Sequence, residues 1–279
     1  MKKFKLGCQL NYTISQPTTF LFNVQVVNNN CQNIVQEQLQ FNPFLAIDEY
    51  ISSSEKNRFV RVNFSTGKLE VSYQATVELS HYYGNYHNIY EVKPANLPVE
   101  TLPYLYPSRY CQSDLLFGLA QSEFGSLSPG YSRVMMICDW IYDKVKYLFG
   151  STNSQTSAFD TATERAGVCR DFAHLGIAFC RTLNIPARFV SAYAYNLNPP
   201  DFHACFEAYL GDRWYLFDPT KLVPLENIIR ISTGRDAADV SFATLFGTVE
   251  INNQYLFVED ISDVQENKKV DESEAIAIS

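Results

Sequence analysis

One cysteine lies where the start of a helix would activate it. Cys169 follows Gly167 and precedes an apolar run with helical spacing, so we expect it in the first turn of a buried helix. Unpaired backbone N–H groups and the positive end of the helix dipole stabilise a thiolate there, and the same groups can hold an oxyanion. Cys169 is therefore a candidate nucleophile. The alternative is that it is one more buried thiol.

A histidine and an aspartate further along the chain would complete this chemistry. His203 lies at the start of a predicted strand, 202–210, and Asp218 directly follows the next one, 213–217. A two-residue turn between these strands makes the two side chains diagonal neighbours on one face, with Cβ atoms about 7 to 8 Å apart. A thiol, a histidine base and a carboxylate that orients the histidine are what nucleophilic acyl transfer requires.

Another histidine, His174, is nearer to Cys169 in the sequence. Five residues along a helix correspond to about 500°, so the two side chains would point about 140° apart. We therefore expect His174 to be a core histidine and not the base. His81 and His87 lie among tyrosines in the first part of the chain, and we assign them no chemical role.

The sequence contains no pattern of a metal or cofactor site. It has neither a CxxC pair nor an HExxH motif, its four histidines are scattered, and it shows no Ca²⁺ loop and no glycine-rich phosphate loop. We therefore expect an enzyme that needs no cofactor and no metal ion.

Charge and composition exclude several classes of partner. The formal net charge is -8 and the pI is about 5.1, whereas nucleic acids and anionic membranes bind clustered Lys and Arg. The basic start of the chain has no apolar run behind it, and no stretch approaches the roughly 18 apolar residues of a membrane span. Most of the seven cysteines lie in apolar runs, as reduced buried thiols do, so we expect a cytoplasmic protein. Homo-oligomerisation is left open.

The elements that must position these residues follow from periodicity. Up to about residue 93 apolar and polar residues alternate, which predicts an antiparallel β-sandwich or barrel. Within it, the strand around 60–64 and the strand 69–79 are expected to form a hairpin through 65–68. Helices are predicted at about 132–148, 157–165 and 169–184.

Prolines 94, 98, 103 and 107 mark the natural boundary between two units, because proline fits neither a helix interior nor a central strand. The resulting division is a β-rich N-terminal domain (1–97), a catalytic domain (98–262) and a polar C-terminal tail (263–279). The tail is expected to be loosely held unless a neighbouring element binds it.

Several motifs together resemble the bacterial transglutaminase-like family. They are GVCRDFAHL (167–175), NIPAR (184–188), DFHA (201–204) and the stretch 214–220 that ends in Asp-Pro-Thr. The front half is similar to the β-rich region that often precedes this domain. The segment 234–239 also resembles one found just beyond the family's last motif, and we expect it to support the site or to serve the fold.

The resemblance implies an α+β fold with a papain-like core, a triad of Cys169, His203 and Asp218, and acyl transfer to or from a peptide or protein substrate through a thioester. Hydrolysis by a cysteine protease or amidase is the expected reaction. One departure supports it: Cys205 stands where the family commonly has a bulky aromatic, and the loop 196–201 is polar, so water should reach the thioester. The alternatives are a protein-glutamine transglutaminase and a noncatalytic peptide-binding module.

Overall fold

The computed structural model describes residues 2–262 and 274–278 of the chain. Its first part is built from strands: β1 (Lys2–Ile14), β2 (Thr18–Phe22), β3 (Gln32–Asn42), β4 (Asp48–Ile51), β5 (Arg58–Phe64), β6 (Gly67–Leu79) and β7 (Tyr82–Asn85). Alternation places one face of β1, β5 and β6 in a core. In β6, Leu69, Val71 and Tyr73 are buried while Glu70 and Ser72 between them are partly exposed.

Helices and strands share the rest of the chain. The helices are α1 (Phe117–Phe124), α2 (Tyr131–Lys144), α3 (Ala158–Glu164), α4 (Cys169–Thr182) and α5 (Ala237–Val240). The strands are β8 (Lys146–Tyr147), β9 (Ala166–Gly167), β10 (Ala187–Ala194), β11 (His203–Leu210), β12 (Arg213–Phe217), β13 (Ile228–Gly234), β14 (Ala243–Phe246), β15 (Val249–Asp260) and β16 (Glu274–Ala277). The proline-rich segment between the two parts forms only short 3₁₀ turns.

Two antiparallel sheets form a sandwich, which confirms one of the two predicted β architectures. Their strand orders are β15-β1-β6-β3 and β14-β2-β5-β4. Apolar side chains from both sheets share one core, including Phe4 and Leu10 from the first sheet and Phe20 and Val62 from the second. The α+β fold class is thereby confirmed, with the β-rich region first and the helical core after it.

The predicted hairpin between β5 and β6 is wrong. β5 is hydrogen-bonded to β2 and β4, whereas β6 is hydrogen-bonded to β1 and β3. The short connection at 65–66 therefore carries the chain from one sheet to the other, and Gly67 has a φ of +115°, which side chains rarely adopt. Alternation of apolar residues fixes the buried face of a strand but not its partner.

The second core lies between α4 and the antiparallel sheet β12-β11-β10-β13. α4 is buried on nearly every side, because strand and helix side chains cover it all round. A side chain at Gly176 would bring a Cβ within 2.6 Å of the Phe206 ring on β11, so glycine is what permits the close approach of helix and sheet. This packing fixes the position of the N-terminus of α4 against β11.

The end of the chain returns to the N-terminal sheets. β14 pairs with β2 and β15 pairs with β1, although the sequence division placed residues 98–262 together in the catalytic domain. β15 is exposed along most of its length, with only Leu256 buried, and nothing in its sequence indicates which sheet it joins. The expected boundary near residue 97 stays a prediction.

Part of the predicted tail is bound by a neighbouring element. β16 pairs with β7, and Ala275, Ile276 and Ala277 are buried against the core of the second part. Small and branched apolar residues in this stretch give it a surface to bury, unlike the charged residues before it. The remaining tail residues, 263–273 and 279, lie outside the described residues.

Candidate active site

Cys169 is the first residue of α4, as predicted. The turn before it is held by the buried Asp171, whose carboxylate accepts hydrogen bonds from the Val168 backbone N–H at 3.0 Å and from Thr152 Oγ1 at 2.8 Å. Arg170 also donates to Asp171 through Nε at 3.0 Å. Cys169 is partly exposed, whereas the other six free cysteines are buried. The one accessible thiol therefore lies at a helix N-terminus that is held by three hydrogen bonds to Asp171.

His203 and Asp218 are brought together by the predicted strand register. Leu210 pairs with Arg213 across the turn, and His203 Nε2 lies 2.7 Å from Asp218 Oδ2 with both side chains buried. The other oxygen, Asp218 Oδ1, accepts hydrogen bonds from the backbone N–H of Thr220 at 2.9 Å and from its hydroxyl at 2.7 Å. The carboxylate is thus held by both oxygens and can fix the orientation of the imidazole.

The environment of His203 favours its charged form. Burial lowers the pKa of this imidazole, but the negative charge of Asp218, the hydrogen bond with Asp218 and the interaction with the Cys169 side chain raise it to about 10. Because Nε2 is engaged with Asp218, Nδ1 is the ring nitrogen available to the thiol, and it has no regular hydrogen-bond partner among the described residues. The structure therefore places an imidazole between the thiol and the carboxylate, as the sequence predicted.

A tyrosine that sequence reasoning missed also reaches the thiol. The helix predicted for 132–148 ends at Lys144, and Tyr147 lies in β8, paired with Gly167 just before Cys169. Burial raises the pKa of Tyr147, and the negative charge of Cys169 raises it further. The Tyr147 hydroxyl interacts with both the side chain and the backbone N–H of Cys169. The helical spacing of apolar residues runs on through Val145 and Leu148, so the periodicity carried no signal of this strand.

His174 is a core histidine, as predicted. It is fully buried, its Nε2 accepts a hydrogen bond from the Ala237 backbone N–H at 3.1 Å, and its ring stacks on Tyr110 with centroids 5.0 Å apart. Burial lowers its pKa well below the ordinary value, so the ring is neutral. Its hydrogen bond serves the packing of α5 against α4.

The segment 234–239 serves the fold rather than the site. Arg235 forms an ion pair with Asp239, and the Arg235 carbonyl accepts a hydrogen bond from Arg181, near the opposite end of α4 from Cys169. Asp236 caps α5 and accepts a hydrogen bond from the Tyr110 backbone N–H at 2.8 Å. Of the two roles left open by the sequence, these contacts support the structural one.

Cys205 does not form a wall of the site. It is fully buried in a cluster with Val190 and Ile276, and burial raises the pKa of its thiol well above the ordinary value. Cys205 shares a face of β11 with His203 but lies deeper in the interior, and the expectation that its small size lets water reach the thioester stays a prediction.

Within residues 2–262 and 274–278, no group of three or more His, Cys, Asp and Glu side chains could hold a metal ion. In the same part of the chain, no helix is both long enough and apolar enough to cross a membrane.

Two family models match the chain in the order of its two parts. Residues 1–100 match the bacterial transglutaminase N-terminal domain, and residues 118–219 match the transglutaminase-like superfamily. A crystal structure described as a candidate cysteine protease from Cytophaga hutchinsonii is 46% identical, with a TM-score of 0.95, and the match covers 99% of this chain and 97% of that one. Fold and site define a papain-like cysteine enzyme. The chain belongs to the transglutaminase-like superfamily.

Curated relatives are more distant and match over a shorter region. An uncharacterized protein of Mycobacterium leprae is 33% identical over 117 residues, which are 39% of this chain and 42% of that protein. An uncharacterized protein of Mycobacterium tuberculosis is 31% identical over 140 residues, which are 44% of each chain. The matched region thus spans less than half of the length of these relatives.

Proposed function

We propose that the protein transfers acyl groups through a thioester on Cys169, and that its main reaction is the hydrolysis of a peptide or amide bond. The observation that carries this proposal is the placement of one buried imidazole against both the Asp218 carboxylate and the Cys169 side chain. A nucleophile, a base and a group that orients the base are the parts that covalent acyl transfer needs. The relative from Cytophaga hutchinsonii, described as a candidate cysteine protease, supports the same class of reaction.

The first half of the proposed reaction forms the thioester. His203 holds the proton of the thiol, and the Cys169 thiolate attacks the carbonyl carbon of the substrate. The developing oxyanion accepts hydrogen bonds from the Cys169 backbone N–H and the Tyr147 hydroxyl, which already lie together at the start of α4. His203 then gives its proton to the departing amine as the C–N bond breaks, while Asp218 keeps the ring in position.

The second half releases the acid. His203 accepts a proton from a water molecule, and the hydroxyl attacks the thioester carbonyl on the face from which the amine departed. The C–S bond breaks, the carboxylic acid leaves, and the thiolate beside a protonated His203 is restored. A primary amine in place of water would give a transglutaminase product by the same steps, so the acceptor decides between the two activities.

The surroundings of the site favour water as the acceptor. A transglutaminase needs a dry, apolar channel that admits an amine and holds water back. Here the groove beside Tyr147 is lined by the exposed, charged residues Asp143, Lys144 and Lys146. On another side Asp201, in the polar loop 196–201, accepts a hydrogen bond from Gln254 at 2.5 Å. Neither surface excludes water.

A panel of peptides tests this proposal. Gln-containing and other peptides are incubated with the protein, with and without a primary amine, and the products are followed by mass spectrometry. We expect Cys169-dependent hydrolysis as the main reaction. Predominant incorporation of the amine at millimolar concentration would assign the protein to the transglutaminases. Absence of any turnover that depends on Cys169 would favour the noncatalytic peptide-binding module.

A peptide or protein substrate is part of the same proposal, because the groove is open and has the polar and apolar lining that an extended chain requires. The cytoplasmic location, the absence of nucleic-acid and membrane partners and the question of homo-oligomerisation stay predictions from the sequence.

A further inference from the structure

A groove of about 450 Å³ runs along the surface beside the candidate active site. We call it the basic groove, and define it by Tyr142, Lys144, Lys146, Tyr147, Arg165 and Thr220. Phe172, one turn along α4 from Cys169, lies in its floor. The groove is thus formed by the end of α2, by β8 and by the residue that follows α3.

Two residues of the basic groove contact members of the candidate triad. Tyr147, in its wall, interacts with the Cys169 side chain and backbone N–H. Thr220, in another wall, donates two hydrogen bonds to Asp218. A peptide bound with its carbonyl at Cys169 would therefore place a neighbouring group of the substrate in the basic groove.

The charge of this groove is opposite to that of the chain. Three cations, Lys144, Lys146 and Arg165, line it together with one acid, Asp143, whereas the whole chain carries a net charge of -8. Among the described residues, none of the three cations forms an ion pair. The charge of Asp143 acts on Lys221, which is itself paired with Asp139 at 2.7 Å. Among the described residues, the lining of the basic groove therefore holds three cations and one acid, a net positive charge.

Arg165 distinguishes this groove from an ordinary surface with solvated lysines. Its guanidinium lies 4.5 Å from the centre of the Trp140 ring, which holds it in one position. The Arg165 side chain lines the basic groove and is partly exposed, although its Nη1 atom is itself buried. A planar guanidinium held in this way is suited to a carboxylate, which it can bind through the N–H groups of its accessible edge.

We propose that the basic groove is a substrate subsite that binds a carboxylate of the peptide, with Arg165 as the main contact and Lys144 and Lys146 supplying a positive field. This inference rests on the proposed function, because it places the carboxylate close to the bond that Cys169 attacks. The carboxylate belongs to an acidic side chain or to the C-terminus of the peptide. In both cases the protein selects acidic substrates in spite of its own negative charge.

Binding to a protein that cannot turn substrate over tests this inference separately from the reaction. The full chain with Cys169→Ala is titrated with acetylated hexapeptide amides that carry Ala, Gln, Lys or Glu at one position, and with the Ala peptide bearing a free C-terminus. Affinity is followed by fluorescence anisotropy at low salt. We expect the Glu peptide, the free-carboxylate peptide or both to bind on the order of tenfold more tightly than the Ala amide. The peptide that binds more tightly shows whether the carboxylate comes from a side chain or from the C-terminus.

Variants locate the effect. Arg165→Gln in the Cys169→Ala protein should abolish most of the preference, and Lys146→Gln should reduce it by a smaller factor. Lys68→Gln, which removes an exposed cation from β6 in the N-terminal sandwich, is the matched control and should leave it unchanged. Equal affinity for all peptides, no binding of any of them, or a preference that survives Arg165→Gln would overturn the inference. Selective binding without Cys169-dependent turnover would retain the subsite and remove the proposed reaction.

Discussion

His203 Nε2 lies 2.7 Å from Asp218 Oδ2, and both side chains are shielded from solvent. His203 begins β11 and Asp218 directly follows β12, so the antiparallel pairing of two adjacent strands sets this distance. In such a desolvated place the interaction between an imidazolium and a carboxylate is stronger than in water. The imidazole is consequently held in one orientation, with Nδ1 left for the Cys169 thiol.

Replacement of the carboxylate should change the pH dependence of the reaction. Burial lowers the pKa of His203. The charge of Asp218, the hydrogen bond with Asp218 and the interaction with the Cys169 side chain raise it to about 10. The protonated ring is needed to hold the ion pair and to protonate the leaving amine, so activity should be lost as the pH rises through this pKa. In Asp218→Asn the negative charge that raises the pKa of His203 is gone, while the burial that lowers it remains. The alkaline limit of kcat/KM should therefore move to lower pH.

The same variant should also lower kcat by a factor on the order of 10³ to 10⁴, because an amide can hold the imidazole in the wrong tautomer. The measurement is the pH profile of peptide hydrolysis for both proteins. An unchanged alkaline limit in Asp218→Asn would show that Asp218 does not control the charge of His203.

Tyr147 provides a second test of the site. Tyr147→Phe removes the hydroxyl that interacts with the Cys169 N–H and side chain but keeps the ring, which packs against Phe172 with centroids 5.6 Å apart. If the hydroxyl holds the oxyanion, kcat should fall by a factor on the order of 10² to 10³ with little change in KM. The thermal midpoint of unfolding serves as the control. A loss confined to KM would assign Tyr147 to substrate binding.

Much of the site could be predicted from the sequence because its geometry is local. The helix start at Cys169 and the two-residue turn between β11 and β12 are set by short-range patterns, and together they place all three expected residues. Tyr147 was missed because a helical period continues past the true end of α2. The sequence also did not show that Cys205 packs against Ile276 of β16, because that strand is more than sixty residues away in the chain.

In the fold, too, features set by neighbouring residues could be predicted, and contacts between distant segments could not. Alternation identified the strands of the sandwich and their buried faces. It did not reveal that β5 and β6 belong to different sheets, or that β14 and β15 return to the N-terminal part, because partner choice depends on contacts between residues far apart in the sequence.

A buried ion pair joins the two parts of the chain and should matter for stability. Arg188 on β10 donates to Glu207 on β11 and to Glu55, which follows β4, at 2.6 Å in each case. Arg188→Leu would leave the fully buried Glu207 without its main partner, and removal of one member of a buried pair costs about 3–5 kcal/mol. Urea unfolding measures this loss.

Arg235→Leu is the matched control for Arg188→Leu. Its ion pair with Asp239 is solvent-exposed and joins residues only four positions apart, so we expect a loss of about 0.5 kcal/mol or less. Equal losses in the two variants would contradict a special role of the buried pair.

The contact between α4 and β11 can be tested with a pair of glycine substitutions. In Gly176→Ala the added Cβ would lie 2.6 Å from the Phe206 ring, and overpacking of this kind costs about 1–3 kcal/mol. Gly118→Ala in α1 adds a Cβ with no atom within 4 Å, and should stabilise the protein by up to about 1 kcal/mol through helix propensity. Denaturant midpoints of the two variants should therefore move in opposite directions, and a shared direction would show that the helix has room to move away from the sheet.

The most direct test of the central claim is the rate at which iodoacetamide alkylates each cysteine between pH 5 and 9, followed by mass mapping. Burial raises the pKa of the other six thiols, so they should stay protonated and unreactive. Cys169, with a protonated His203 beside it, should react many times faster at pH 6 to 7, and His203→Ala should slow that reaction. Contradiction would come from similar rates for all seven cysteines at neutral pH, or from a Cys169 rate that rises only above pH 8 and is unaffected by His203→Ala.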